Sequence, residues 1–204
     1  MTGTAAASVD AAGLLERAVA YALGNVAVVT PDLLARPTPC RAWDLRMLLW
    51  HSCESLAALG EGFADGFVAL AAAHDNALRT GPAEVFTARA CLLLHTWSRV
   101  TRPDILVAGR RLTVSVVAAA GALEIAVHGW DVAEACGQQR PVPAALALSL
   151  LEIAPLLVSG ADREPLFAAE VAVAREASAS DKLTAFLGRT THGSGEARQG
   201  MAGR

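Results

Sequence analysis

The chain has 204 residues and a net charge of -3, and is 53% hydrophobic but only 5% aromatic and 18% charged. One domain of that size buries roughly 70% of its unfolded surface, so a core forms without disulfides. Its 17 Lys and Arg are scattered among 20 Asp and Glu, which leaves no basic stripe to neutralise phosphates and argues against a nucleic-acid partner.

The apolar content is mostly Ala, Leu and Val, with little of the alternation that strands need, so a mainly α fold is expected. The longest uncharged stretches, 18–31 and 112–123, fall short of the roughly 20 apolar residues of a spanning helix, so no membrane partner is expected. The N-terminus MTGTAAASVD has no basic start followed by an apolar run, which points to a cytoplasmic protein. Cys40, Cys53, Cys91 and Cys136 show no CxxC spacing and lie in or beside apolar helical runs. Reduced, mostly buried thiols follow.

In chain order, Leu14, Leu15, Ala18, Tyr21, Ala22 and Val26 recur at three and four, predicting a first helix within 9–29. Pro31, Pro37 and Pro39 make 30–43 an extended connection. Asp44 then caps a second helix, whose stripe from Leu45 through Leu48, Leu49, Ser52, Cys53 and Leu56 reaches Gly60. The run 63–78 is again helical in pattern, as a broken extension or a short separate helix. Gly81 and Pro82 start a third helix carrying Phe86, Ala90, Leu93, Leu94 and Trp97. Between Pro103 and Val114 two short strands flank Gly109 as a small hairpin. A fourth helix covers 115–136 and stops at Gly137; a fifth runs over about 144–158. Short elements follow near 167–173 and 181–187, and the tail 190–204 reads as disordered.

The architecture expected is one domain, 1–189: a four-helix bundle with a small β-hairpin before the fourth helix and a C-terminal helical extension. The apolar fifth helix either covers the bundle or forms a dimer face, and covering is favoured; a monomer and a homodimer both remain open.

The informative ionisable residues are those inside apolar runs. Glu124 and His128 stand four apart in GALEIAVHGWD, about 40° of rotation and roughly 6 Å of rise, so they project from one face. His51 lies inside MLLWHSCESL on the second helix. Two histidines and a carboxylate make a facial metal set that leaves a position open, the pattern of a catalytic site. The spacing equally admits a Glu124 to His128 ion pair with His51 as a core histidine. Asp131, three past His128, is the candidate catalytic position: it either orients a ligand imidazole or binds polar groups of a cosubstrate, against the alternative of a solvated carboxylate. Trp43 is expected to pack the connection against the bundle, and Trp50 and Trp130 to point away from the ligands. Arg41, Arg46, Arg110 and Arg111 read as surface residues. His95 reads as a core or surface histidine, with a fourth ligand as the alternative, and His74 and His192 carry no signal.

The segments TPCRAWDLRMLLWH at 38–51 and ALEIAVHGWD at 122–131 resemble the two signature helices of the DinB-like superfamily. The similarity is to the actinobacterial branch related to the metal-binding domain of mycothiol-dependent maleylpyruvate isomerase. DKLTAFLGR at 181–189 resembles that branch's ending. The resemblance implies a bundle binding one divalent ion, zinc first, with nickel, iron or manganese as alternatives, through His51, Glu124 and His128. It also implies a metal-dependent transferase or isomerase that uses a low-molecular-weight thiol, mycothiol foremost, on an electrophilic small molecule. Members with a separate C-terminal domain draw an active-site arginine from it, and no counterpart is assigned here. A non-enzymatic metal- or ligand-binding bundle, and a bundle recruited to a biosynthetic pathway with an idle metal, stand as the competing classes.

Overall fold

The computed structural model describes residues 11–40, 43–68, 81–158, 163 and 167–190. α1 (Ala11–Val26) buries Leu14, Leu15, Ala18, Val19, Ala22 and Val26 along one stripe. The proline-rich connection follows, with a single 3-10 turn at Pro31–Leu33. It is tied to the next helix by Leu45 N–H to Arg36 O (2.9 Å) and Arg46 N–H to Leu34 O (2.9 Å). Asp44 caps α2 (Leu45–Asp65), its side chain accepting from Met47 N–H at 2.8 Å.

The helix continues past Gly60, where the sequence stripe ends, to Asp65, and a Cβ at Gly62 would stand 3.1 Å from the Val68 side chain and 3.4 Å from that of Ile105. The start of the 63–78 run is therefore the last turn of α2, and the chain then forms a two-residue strand, β1 (Phe67–Val68). The rest of that run, with His74, lies outside the described residues, as do Arg41 and His192. α3 (Pro82–Trp97) begins at the expected Gly81 and Pro82.

The hairpin is present as β2 (Asp104–Val107) and β3 (Arg110–Thr113), antiparallel, with Val107 opposite Arg110. Its two-residue loop puts both central residues in the left-handed region, Ala108 at φ 49 and Gly109 at φ 75. That geometry matches the strand twist, so the loop forms although Ala108 is an unfavoured residue there. β1 adds to β2 in parallel, giving the sheet order β1-β2-β3.

The longest helix is α4 (Val114–Ala135), capped by the Thr113 hydroxyl, which accepts from Val116 N–H. It is the one helix among the described residues long and apolar enough to cross a membrane by length and composition; 83% of that window is buried inside the fold. α5 (Ala144–Leu157) and α6 (Ala179–Phe186) complete the described helices. No helix or strand forms at the described residues 167–173; Val171 N–H bonds Ala185 O (2.9 Å) instead, docking an extended segment on α6. Of the tail read as disordered, residues 191–204 lie outside the described residues.

α1 packs against α4 and α3, and α2 against α3 and α4, so the four helices close a ring around a Leu, Val and Ala core. At Gly129 a Cβ would stand 3.0 Å from the Cα of Ala22, so the missing side chain is what lets α1 and α4 approach. α5 covers part of this body, burying Leu146, Ala147, Leu150, Ile153 and Ala154 while Leu148 and Leu156 face outward. α6 packs on α5.

Candidate metal centre

α2 and α4 pack face to face, and at their contact the structure brings together His51, Glu124 and His128. His51 Nε2 lies 2.8 Å from Glu124 Oε1, and His128 Nε2 lies 3.2 Å from the same oxygen. Ser55, one helical turn beyond His51, donates its hydroxyl to that oxygen at 3.3 Å. The three candidate donor atoms all lie within 4.8 Å of one another.

Behind the pair, His128 Nδ1 lies 3.0 Å from Asp131 Oδ2. An ionised carboxylate only accepts, so Nδ1 carries a proton and the ring presents Nε2 toward Glu124. Asp131 is fully buried. Arg189 completes its partners, donating from Nη2 to Oδ2 (3.1 Å) and from Nε to Oδ1 (3.5 Å). Arg189 also donates from Nη1 to Leu187 O at 3.0 Å. Asp131 is thus not a solvated carboxylate: it is buried and lies where it can orient the ring of His128.

Electrostatics follow from these contacts. Burial alone would raise the Glu124 pKa, but the charges and hydrogen bonds of His128 and His51 outweigh it and hold Glu124 well below the carboxylate range. For His128, burial pulls the pKa down; Glu124 and Asp131 prevail and raise it to about 9. Cys40 is half-buried nearby, its pKa raised by burial against the lowering charge of Arg189.

Whether a divalent ion fits can be judged from the donors. Metal to nitrogen and oxygen distances of about 2.0–2.2 Å place neighbouring ligand atoms roughly 3 Å apart, the spacing seen between Glu124 Oε1 and each imidazole. The same oxygen is now held by two imidazole N–H groups, and a cation would take the place of those two protons. Asp131 supplies the carboxylate behind a ligating histidine that metal sites use to fix the ring. The donor set fits.

Trp43 packs as expected, though directly on the candidate ligands: its ring centroid is 4.5 Å from that of His51 and 6.1 Å from that of His128. Trp130 is buried and Trp50 is half-buried. Arg46, Arg110 and Arg111 are exposed, Arg111 pairing with Asp104 at 3.7 Å. His95 is exposed on α3 and stands outside the cluster of three. Among the thiols, Cys53 and Cys136 are buried, whereas Cys91 is exposed, against the expectation of burial.

Arg189 was not singled out by sequence reasoning. The available signal was faint: Leu183 and Leu187 mark a buried face of α6, and Arg189 follows Gly188 directly. Gly188 has φ 76, and a Cβ there would stand 2.6 Å from Ala168 O, so only glycine lets the chain turn at that point and bring Arg189 inward.

No family model matches the chain, and no solved structure matches it. Its relatives include "Uncharacterized protein Rv0738" of Mycobacterium tuberculosis strain ATCC 25618 / H37Rv and "Uncharacterized protein MT0763" of strain CDC 1551 / Oshkosh. Each is 31% identical over 177 residues, covering 81% of this chain and 90% of the relative. The chain belongs to the family of these uncharacterized mycobacterial proteins.

Proposed function

We propose that the chain is a DinB-like four-helix bundle whose His51, Glu124 and His128 hold one divalent cation, zinc first. We further propose that it activates a low-molecular-weight thiol, mycothiol foremost, for transfer to, or thiol-assisted isomerisation of, an electrophilic small molecule. The observation that carries this is the convergence of three donor atoms within 4.8 Å, with Asp131 fixing the ring of His128 from behind.

A cation held there supplies Lewis acidity that keeps a thiol, whose ordinary pKa is near 8.5, as the nucleophilic thiolate at neutral pH. The chain's own groups do the rest. His51 and His128 present Nε2 and Glu124 an oxygen, three protein donors that leave a position open. Asp131 holds the His128 tautomer, and Arg189 holds Asp131. Trp43 lies against both imidazoles and shields that side from water. The thiolate sulfur then uses its electron pair to form a carbon–sulfur bond while the carbon–carbon π pair of the electrophile moves onto its conjugated carbonyl. In transfer the α carbon takes up one proton, replacing the one lost by the thiol, and the adduct leaves; in isomerisation the carbon–carbon bond, now single, rotates, and return of the electron pair expels the thiolate again.

Elemental mass spectrometry of the native chain is expected to give about one divalent ion per chain, with a large loss in Glu124→Ala. Thiol consumption with an electrophilic acceptor should vanish in His51→Ala. Little metal in either protein, or equal rates in His51→Ala, overturns the proposal.

A further inference from the structure

Beside the three converging groups lies a cavity of about 210 Å³ between α4, the end of α5 and the C-terminal segment. Among the described residues its walls are largely apolar, formed by Leu123, Val127, Leu157, Val158, Phe167 and Leu187, with the exposed Ala120 also lining it. Glu124 and Arg189 are the charged groups among its described lining residues, so the cavity adjoins the candidate metal centre through Glu124.

Both charges already have protein partners. Glu124 is engaged by His51, His128 and Ser55. Arg189 gives two of its nitrogens to Asp131 and the third to Leu187 O. Of its five N–H groups, two remain for another acceptor. If a divalent cation and a thiolate are added to Glu124, Asp131 and Arg189, the formal charges of the centre cancel. No positive surplus remains for a dianion. An apolar wall would also have to desolvate two carboxylates without pairing them, at a cost of several kcal/mol each.

Size narrows the occupant further. Cavities of about 150 Å³ take up benzene, and drug-sized ligands occupy roughly 300–1,000 Å³. The space suits a small ring or short chain bearing one carbonyl, and it is too small for the body of a thiol such as mycothiol.

We infer that this cavity is the subsite of the electrophile and selects a neutral, largely apolar molecule with a single carbonyl, such as an α,β-unsaturated ketone, over a dicarboxylate. This rests on the thiol-transfer proposal for the adjoining centre. In the step implied, the sulfur forms a bond to the β carbon and the carbon–carbon π pair moves to the carbonyl as an enolate. The α carbon then takes up one proton from water, replacing the proton lost by the thiol, so thiol and enone combine with nothing left over.

Binding is tested first without metal, with probes that cannot react. Saturation-transfer NMR on the metal-free protein is expected to detect cyclohexanone but not succinate. Ala120→Phe, a change at an exposed position that would place a ring over the cavity, is expected to weaken cyclohexanone by about tenfold or more while leaving metal content unchanged. Succinate binding as well as cyclohexanone, or Ala120→Phe binding cyclohexanone as the parent does, overturns the inference. The metal-loaded protein is then given mycothiol with 2-cyclohexen-1-one or with maleate, and adducts are followed by mass spectrometry. Faster conjugation of the enone supports the inference, and preferred conjugation of maleate overturns it. Cyclohexanone bound as expected with no catalysed conjugation of either electrophile overturns the thiol-transfer proposal but leaves the ligand class of the cavity standing.

Discussion

Asp131 Oδ2 accepts both from an imidazole on its own helix and from a guanidinium 58 positions along the chain, which also donates to Oδ1. Both Asp131 and Arg189 are buried, so removing one partner strands the other's charge away from water. Arg189→Met is expected to destabilise the protein by about 3–5 kcal/mol in urea unfolding at pH 7. Adding Asp131→Asn should restore part of that loss, because no bare carboxylate is then left behind; a double variant weaker than Arg189→Met alone would show that the pair is not coupled. Asp131→Asn by itself should lower stability, because the Arg189 charge loses its counter-ion, and should weaken metal affinity about 10–100-fold, since the ring of His128 then faces a neutral amide that accepts more weakly and can turn its NH2 toward the ring. At this scale the sequence was uneven. Glu124, His128 and Asp131 stand at helical spacing in one apolar run, so their common face was legible. Arg189 was not, because its partner is chosen by how α6 docks and no local pattern encodes a contact across 58 positions.

The elements that place these residues depend on a few backbone decisions. Gly188 turns the chain out of α6 at φ 76 with Ala168 O where a Cβ would be. Gly188→Ala is expected to cost about 1–3 kcal/mol from the left-handed backbone alone, with the clash adding to it. Metal affinity should fall alongside, since Arg189 is then displaced from Asp131; thermal unfolding and metal titration on one preparation separate the two effects. A Gly188→Ala protein with parent stability and affinity would refute this account of the turn. The capped starts of α2 and α3 and the Gly109 hairpin were readable because each carries its own signal: a side-chain cap, a proline in the first turn, a glycine in the loop. β1 was not readable. Phe67 and Val68 sit in a run with helical periodicity, and only pairing with β2 makes them a strand. Likewise α2 runs through Gly60 and Gly62 to Asp65 although glycine is a poor helix former, and no local signal marks that extension.

At the scale of the molecule, the helices hold His51 and Glu124 partly buried and His128 buried against an apolar core, which ties folding to protons and, on the proposed reading, to a divalent ion. In the metal-free protein the His128 pKa is raised from 6.5 to about 9. A group whose pKa is raised by folding stabilises fully below its unfolded value, so this contribution is complete below about pH 6.5 and is lost as pH rises toward 9. Glu124, held well below its usual value, acts in the opposite sense: its contribution is present above about pH 4.5 and is lost on acidification. The metal-free chain should therefore be most stable between about pH 4.5 and 6.5 and should melt progressively lower from there to pH 9. A divalent ion needs the Nε2 position of His128 without its proton, so binding releases a proton throughout that range and tightens with rising pH until about 9. The difference in Tm between metal-loaded and metal-free protein is expected to widen from pH 6.5 to 9, and calorimetry in buffers of different ionisation enthalpy should register proton release on binding. A gap that stays constant over this range, with no proton released, would mean that the imidazole of His128 is not where the cation binds.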